Sequence, residues 1–232
     1  MIFNLFKSKP TLKELIPDGF VDIHSHILPG IDDGAKDIEE SILLIEKMKG
    51  LGFSKIIATP HTYPGIYDNT NISIKNSHDK ISKRIDSDVE VSFASEYMLD
   101  KQLIEKAEEK KLLCIKKNYI LVEMSYVSPP KYLHDILFKL QINGYAPILA
   151  HPERYTYFFE NITDFKKLKD LGCEFQLNLL STTNHYGREI SKLTDYLLKN
   201  NMYEYVGSDI HNLNHVNKFN NKVRINQLDE LI

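Results

Sequence analysis

The sequence predicts an α/β fold in which parallel βαβ units close, or nearly close, into a barrel. Three observations point there. From Phe20 onward, seven short β-rich runs alternate with helical stretches. The runs are almost continuous Ile, Val, Leu, Phe and Ala, as in strands covered on both faces. Each unit takes about 30 residues, and barrels of about 200–250 residues commonly form one domain, which suits a chain of 232. An open doubly wound sheet would bring a glycine-rich phosphate turn after its first strand. Here that turn reads Pro29-Gly-Ile-Asp-Asp-Gly34.

Strands are expected at Phe20–Leu28, Lys55–Pro60, Val89–Met98, Tyr119–Met124, Ala146–His151, Glu174–Leu179 and Tyr203–Ser208. Asp37 is a good N-cap for the first helix, and Glu40 three residues later makes a near capping box. Ile38, Ile42, Ile45 and Lys49 fall on one stripe of that helix with Met48 alongside, and Gly50 or Gly52 ends it. A second helix over Tyr132–Asn143 carries Leu133, Ile136, Leu137 and Leu140. Thr163 caps a third, with Phe165 and Leu168 facing inward and Gly172 closing it. Gly187–Asn200 is a fourth, with Ile190, Leu193 and Leu197. No linker or low-complexity tract divides the chain, so residues 1–232 read as one domain. Its lead, residues 1–19, packs on or covers the barrel.

Composition narrows the function classes. Lys and Arg number 29 against 32 Asp and Glu, a net charge of −3, which lacks the basic footprint of a nucleic-acid binder. Two cysteines form no disulfide framework and point to a reducing cytosol. No apolar run is long enough to span a bilayer and no secretory signal opens the chain, so a cytoplasmic protein without membrane insertion is expected. Nine histidines stand out.

Five of them recur where strands end. His24 and His26 lie near the end of the first run, His61 after the second and His151 at the fifth; His211 follows the seventh with Asp209. Glu96 and Glu123 mark the third and fourth runs, and only Asn178 on the sixth is a weak metal ligand. Parallel barrel strands all point one way, so these side chains meet around one mouth. His-x-His has the strand period of two, which puts both rings on one side. Glu123 lies between Ile120, Leu121, Val122 and Met124, where a carboxylate is costly to bury unless a cation or donor meets it. Together the pattern predicts a polynuclear metal centre. His78, His134, His185 and His215 fall in helical, polar or loop stretches and read as surface or packing residues.

The motifs Asp22-Ile-His24-Ser-His26-Ile-Leu-Pro-Gly-Ile-Asp-Asp33-Gly, Ala58-Thr-Pro-His61, Ser95-Glu96-Tyr, Leu121-Val-Glu123-Met, Ala150-His151-Pro-Glu-Arg154-Tyr and Gly207-Ser-Asp209-Ile-His211-Asn resemble the PHP (polymerase and histidinol phosphatase) superfamily. Within it the chain is most similar to the bacterial metal-dependent protein-tyrosine phosphatases of capsule and exopolysaccharide operons. The resemblance runs from residue 22 to 212. It implies a distorted seven-stranded barrel of PHP type with two to three divalent ions at the mouth. His24, His26, Glu96 and Asp209 would hold one ion. Glu96 would bridge to a second with His61 and Glu123. Asp33, rather than its neighbour Asp32, would hold a third with His151 and His211. Imidazole and carboxylate together suit manganese, the expected ion, or iron, cobalt or zinc.

The implied substrate is a phosphotyrosine dianion on a protein partner, a membrane-associated bacterial tyrosine autokinase that controls polysaccharide synthesis and export. Three divalent ions among four carboxylates leave a locally cationic mouth on an acidic protein. Arg154 would hold phosphoryl oxygens in its planar fork and stabilise the transition state, with Asp209 a candidate proton source. The loop Thr62-Tyr-Pro-Gly-Ile-Tyr67 could stack on the substrate ring or be a plain surface turn. Related phosphatases carry a second arginine after the Ser-Asp-x-His motif, and Asn212–Asn217 contains none; Lys218 and Arg224 are the nearest basic residues. A cysteine mechanism would need an arginine six residues after the thiolate, where Cys114 has Ile120 and Cys173 has Leu179. The alternatives are a small-molecule phosphatase, such as one acting on histidinol phosphate, and a non-catalytic metal-binding regulator.

Overall fold

The computed structural model describes residues 9–85, 88–159 and 161–224, so residues 1–8 of the expected lead lie outside it. Among the described residues nine strand segments, all paired in parallel, form two sheets. The first has the order β1 (Phe20–Ser25), β2 (Phe53–Ala58), β4 (Glu90–Phe93). The second runs β3 (His61–Thr62), β5 (Glu96–Met98), β6 (Tyr119–Glu123), β7 (Ala146–Ala150), β8 (Glu174–Asn178), β9 (Tyr205–Gly207).

The expected strand Val89–Met98 is therefore split in two, and β3 is a short segment just beyond the expected strand Lys55–Pro60. The breaks fall side by side, at Thr59–Pro60 and Ala94–Ser95, and side chains bridge them. Ser95 Oγ donates to the Pro60 carbonyl at 3.0 Å and lies 2.6 Å from Thr62 Oγ1. Pro60 has no N–H to give a ladder, which favours an interruption there. At the far edges, β1 meets the segment after β9. Asp209 N–H donates to His24 O at 2.8 Å and His26 N–H to Ile210 O at 2.9 Å. Fully buried Asp22 reinforces this closure by accepting the Ser208 N–H and hydroxyl at 2.8 and 2.6 Å.

Helices fill the crossovers. In α2 (Ile38–Lys49) Asp37 caps as expected, accepting Glu40 N–H at 2.8 Å. The capping box is not made, because Glu40 Oε2 accepts from Lys36 N–H instead. The buried stripe is also rotated from the expected one: Ser41, Leu44, Ile45 and Met48 face the core, and Ile38 and Ile42 are half-buried. In α5 (Leu133–Ile142) the four expected residues are buried. In α6 (Thr163–Asp170) Phe165 and Leu168 are buried, but Thr163 is the first helical residue rather than the cap, and its hydroxyl bonds Asn161 Oδ1. The fourth expected helix is α7 (Arg188–Lys199). The remaining helices are α1 (Leu12–Leu15), α3 (Asn71–Ile81), α4 (Lys101–Glu108) and α8 (Leu213–Lys218). His215, expected in a loop, lies on α8.

One apolar core runs from Leu12 to Val223. In the lead, Thr11 makes a complete capping box with Glu14. Residues 10–13 bond the backbone of residues 219–223, through Leu12 N–H to Asn221 O and Val223 N–H to Pro10 O, each 2.9 Å. Among the described residues no helix is long and apolar enough to cross a membrane.

Candidate metal centre

The nine residues expected to be ligands gather around one mouth, seven at or beyond the C-terminal part of a strand and His61 and Glu96 opening β3 and β5 just past the ends of β2 and β4. His24 on β1 and His26 just beyond it, Glu96 on β5, Glu123 on β6, His151 after β7 and Asp209 after β9 are buried. His61 and His211 are partly open, and the Asp33 side chain is half-exposed.

The ring orientations of His24 and His26 follow from their outer neighbours. Gln176 donates its Nε2 to Leu177 O, which turns its Oε1 toward His24 Nδ1 at 2.8 Å. Asp32 Oδ2 lies 2.8 Å from His26 Nδ1. Asp32 is held down to about 2, since His26 and its hydrogen bonds outweigh the upward push of burial, so it is an ionised acceptor. Both Nδ1 atoms are therefore donors, and both Nε2 atoms turn lone pairs inward. Those Nε2 atoms are 3.2 Å apart. Glu96 Oε2 lies 3.3 and 3.4 Å from them, and Asp209 Oδ1 also 3.3 and 3.4 Å. Two carboxylate oxygens thus flank the imidazole pair, which groups with Glu96, while Asp209 groups with His24 and His151.

A second group adjoins it. His61 Nδ1 is 3.1 Å from Glu96 Oε2 and 2.9 Å from Glu123 Oε1. His61 Nδ1 and Glu96 Oε2 are both buried, yet neither makes a hydrogen bond among the described residues. The expected trio of Asp33, His151 and His211 is not gathered at one point. Asp33 Oδ1 lies 3.5 Å from both His61 Nε2 and His211 Nε2, in a cluster with His26. His151 instead clusters with His24 and Asp209, and its Nε2 is 3.2 Å from Glu96 Oε1.

The electrostatics match a site short of positive charge. Burial pulls the His24 and His26 imidazoles down, but Glu96 and Asp209 at the first and Asp32 at the second raise both above the ordinary value. His61 ends at about 10 because Glu96 and Glu123 outweigh burial and the repulsion of His26. Burial pushes the Glu96 carboxyl up, and His24 and His61 take it well below the usual range. Burial and then the charge of Glu96 push Glu123 up. A divalent cation would displace protons from such a set, which is why ligand binding by histidine depends on pH. The donor set and its orphaned atoms fit metal ions.

Above the ligands lies a cavity of about 330 Å³ lined by Asp33, His61, Tyr126, His151, Arg154, Tyr186, Asp209, His211, Asn212 and His215. Arg154 is aimed into it by its neighbour. Buried Glu153 turns inward and accepts from Asn178 N–H (3.0 Å), Ser181 Oγ (2.7 Å) and Tyr203 Oη (3.0 Å). The Arg154 guanidinium is sandwiched between Tyr126 and Tyr186, 4.8 and 4.3 Å from the ring centres, and its Nη1 donates to Asp209 Oδ2 at 2.8 Å. Asn178 Nδ2 donates to the same oxygen at 2.8 Å. Burial pushes Asp209 up, but His24, His211 and Arg154 hold it well below the usual range. An ionised carboxylate saturated with donors is poorly suited to be the proton source the sequence suggested. Two strand-end residues, His151 (φ 36°) and Asp209 (φ 52°), take left-handed backbone that non-glycine residues rarely adopt.

Several working residues were missed in the sequence. Asp32, passed over beside Asp33, orients His26 and accepts His61 N–H at 3.1 Å and Gly34 N–H at 3.0 Å. Only glycine fits position 34, where a Cβ would lie 1.8 Å from the His26 carbonyl oxygen. Gln176, Tyr126, Tyr186 and His215 carried no spacing signal. Tyr67 stacks on the His61 ring (5.5 Å, 12°), so one of its faces is already covered. Cys114 and Cys173 are free thiols outside the cavity, both raised by burial, Cys173 to about 12.

Residues 20–221 match the family model for capsular polysaccharide synthesis, CpsB/CapC. The chain is 32% identical over 197 residues to the tyrosine-protein phosphatase YwqE of Bacillus subtilis, covering 83% of this chain and 78% of that one. It is 29% identical over 202 residues to the tyrosine-protein phosphatase CpsB of Streptococcus pneumoniae, covering 83% of each. A solved structure from work on those two proteins, described as unique metal-dependent tyrosine phosphatases, superposes with a TM-score of 0.79 at 30% identity; the match covers 86% of this chain and 84% of that one. A lactonase from Listeria monocytogenes shares the fold alone, at TM-score 0.52 and 12% identity over 92% of this chain and 86% of that one.

Proposed function

The chain belongs to the CpsB/CapC family of capsular polysaccharide synthesis, and on that premise we propose that it is a metal-dependent protein-tyrosine phosphatase. The observation that carries this reading is the pair of His24 and His26 Nε2 lone pairs, 3.2 Å apart and flanked by Glu96 and Asp209. One proton can satisfy only one of those contacts, whereas a divalent cation meets all four. We read the centre as polynuclear, with manganese the first choice. His24, His26, Glu96 and Asp209 hold one ion, and His61, Glu96 and Glu123 a second. Asp33, His151 and His211 supply the remaining ligands. The two sheets, joined edge to edge through Ser25 and Ile210, support the reading of a distorted barrel around it, with residues 1–232 as one domain.

When bound, such ions supply Lewis-acid charge to a phosphoryl group. The chain's own residues do the rest. Arg154, held by Asp209 and two tyrosine rings, offers its remaining N–H groups to phosphoryl oxygens as the geometry turns trigonal-bipyramidal. Tyr126 and Tyr186 form apolar walls against which an aryl leaving group packs. A phenolate leaving group, whose acid has a pKa of about 10, needs less protonation than an alkoxide, which relieves the chain of a dedicated proton donor. The physiological substrate is a tyrosine-phosphorylated protein in polysaccharide export, a bacterial tyrosine kinase by this reading, and the enzyme works in the cytoplasm.

The test is metal analysis of the purified protein followed by assays with a phosphotyrosine peptide, a phosphoserine peptide and histidinol phosphate, with and without chelator. Chelator-sensitive release from phosphotyrosine is expected. Preference for histidinol phosphate would favour the small-molecule reading, and full metal without turnover would favour a regulator.

A further inference from the structure

We propose that His215 is a second phosphate-binding residue, donating a hydrogen bond from Nε2 to a phosphoryl oxygen in the cavity that Arg154 enters. This rests on the phosphatase reading. His215 belongs to none of the ligand clusters, yet it lines the cavity from α8. Its ring is fixed. His211 N–H donates to Nδ1 at 3.3 Å, and Asp209 O lies 3.3 Å from the same atom. The His215 N–H is capped by Asn212 Oδ1 at 3.1 Å, and its ring packs edge-on against His211 and His185 at 5.5 and 5.6 Å. Nδ1 thus meets one donor and one acceptor, and the tautomer that takes the His211 N–H carries the ring proton on Nε2, where an arriving phosphoryl oxygen favours it. Among the described residues Nε2 has no partner.

Such a donor adds to what Arg154 offers a phosphoryl group. Asp33 and Asp209 are acceptors, and Arg154 has one N–H committed to Asp209 and both faces covered by tyrosines. The Tyr186 hydroxyl accepts from Asn178 Nδ2 at 3.1 Å and keeps its own proton to donate, and Tyr126 Oη is 3.5 Å from His151 Nε2. A phosphoryl group presents three non-bridging oxygens, more than the fixed guanidinium edge reaches. A rigid, unengaged N–H costs little reorganisation when the oxyanion arrives.

The experiment compares the metal-loaded parent with His215→Ala and His215→Gln, the latter placing an uncharged amide N–H at similar reach. Binding of inorganic phosphate is measured by calorimetry, with kcat and KM for a phosphotyrosine peptide and metal content alongside. His215→Ala should weaken phosphate binding and raise KM by about tenfold, the scale of one lost hydrogen bond, with metal content unchanged. His215→Gln should recover most of the loss. Unchanged phosphate affinity in the alanine variant, a glutamine variant as weak as alanine, or metal loss in both would overturn the proposal. So would a parent that binds no phosphate. A parent that binds phosphate through His215 but does not hydrolyse phosphotyrosine would sink the phosphatase reading and leave the phosphate site standing.

Discussion

Replacing Asp32 by Asn tests whether an outer carboxylate sets the metal centre. The Asp32 carboxylate accepts three donors: His26 Nδ1 at 2.8 Å, His61 N–H at 3.1 Å and Gly34 N–H at 3.0 Å. The first two share Oδ2 and the third uses Oδ1. An amide has one acceptor oxygen, so whichever way Asn turns, its NH2 faces at least one donor. Orphaning one buried donor costs about 1–3 kcal/mol. The alternative is that His26 flips tautomer to accept from the amide, which puts its proton on Nε2 and removes a lone pair from the imidazole pair. Either route should lower metal affinity by about 10–100-fold, the range for an outer partner of a ligating histidine. Competition with a chromophoric chelator measures that affinity, and circular dichroism checks the fold. If Asp32→Asn binds metal like the parent while His26→Ala does not, the orientation argument is wrong.

Other consequences are open to measurement. Burial raises the Glu153 carboxyl to about 7 against its three hydrogen bonds. The folded protein therefore takes up a proton between about pH 4.5 and 7, and this group's contribution to stability declines as pH rises through that window, by about 3 kcal/mol. Urea titrations at pH 5 and 8 should show a smaller decline in Glu153→Gln; equal slopes would count against the assignment. Gly34→Ala should destabilise the fold by more than the ~1–3 kcal/mol of ordinary overpacking, because its Cβ meets a backbone oxygen at 1.8 Å. A parental thermal midpoint in that variant would mean the Pro29–Gly34 turn is not as described. Cys114→Ser with Cys173→Ser should retain phosphotyrosine hydrolysis, and a folded but inactive double variant would contradict the metal reading.

The strand runs were legible because residues buried on both faces write themselves as unbroken apolar stretches, and His24 and His26 share a face through the two-residue period. The breaks at Thr59–Pro60 and Ala94–Ser95 were not, since they depend on a serine and a threonine meeting across strands. The choice between Asp32 and Asp33 was hidden for a related reason. Adjacent identical residues differ only in which way the turn points them, and here one is buried against His26 while the other opens to the mouth. The grouping of His151 with His24 and Asp209 rather than with Asp33 and His211 depends on a left-handed backbone at residue 151. His215 looked like a loop residue because α8 is a short helix of six residues with little periodicity.

The contact between Asp22 and Ser208 spans 186 positions of sequence, and the central ligands sit at its two ends, with His24 and His26 just inside the first and Asp209 just beyond the second. Closing so long a loop is entropically costly and comes late in folding. A nascent chain still short of β9 carries the imidazoles but not Asp209, so it can offer only a partial grip on a cation. Metal loading should therefore report that synthesis and closure are finished, and fragments ending before residue 205 should accumulate as apo chains.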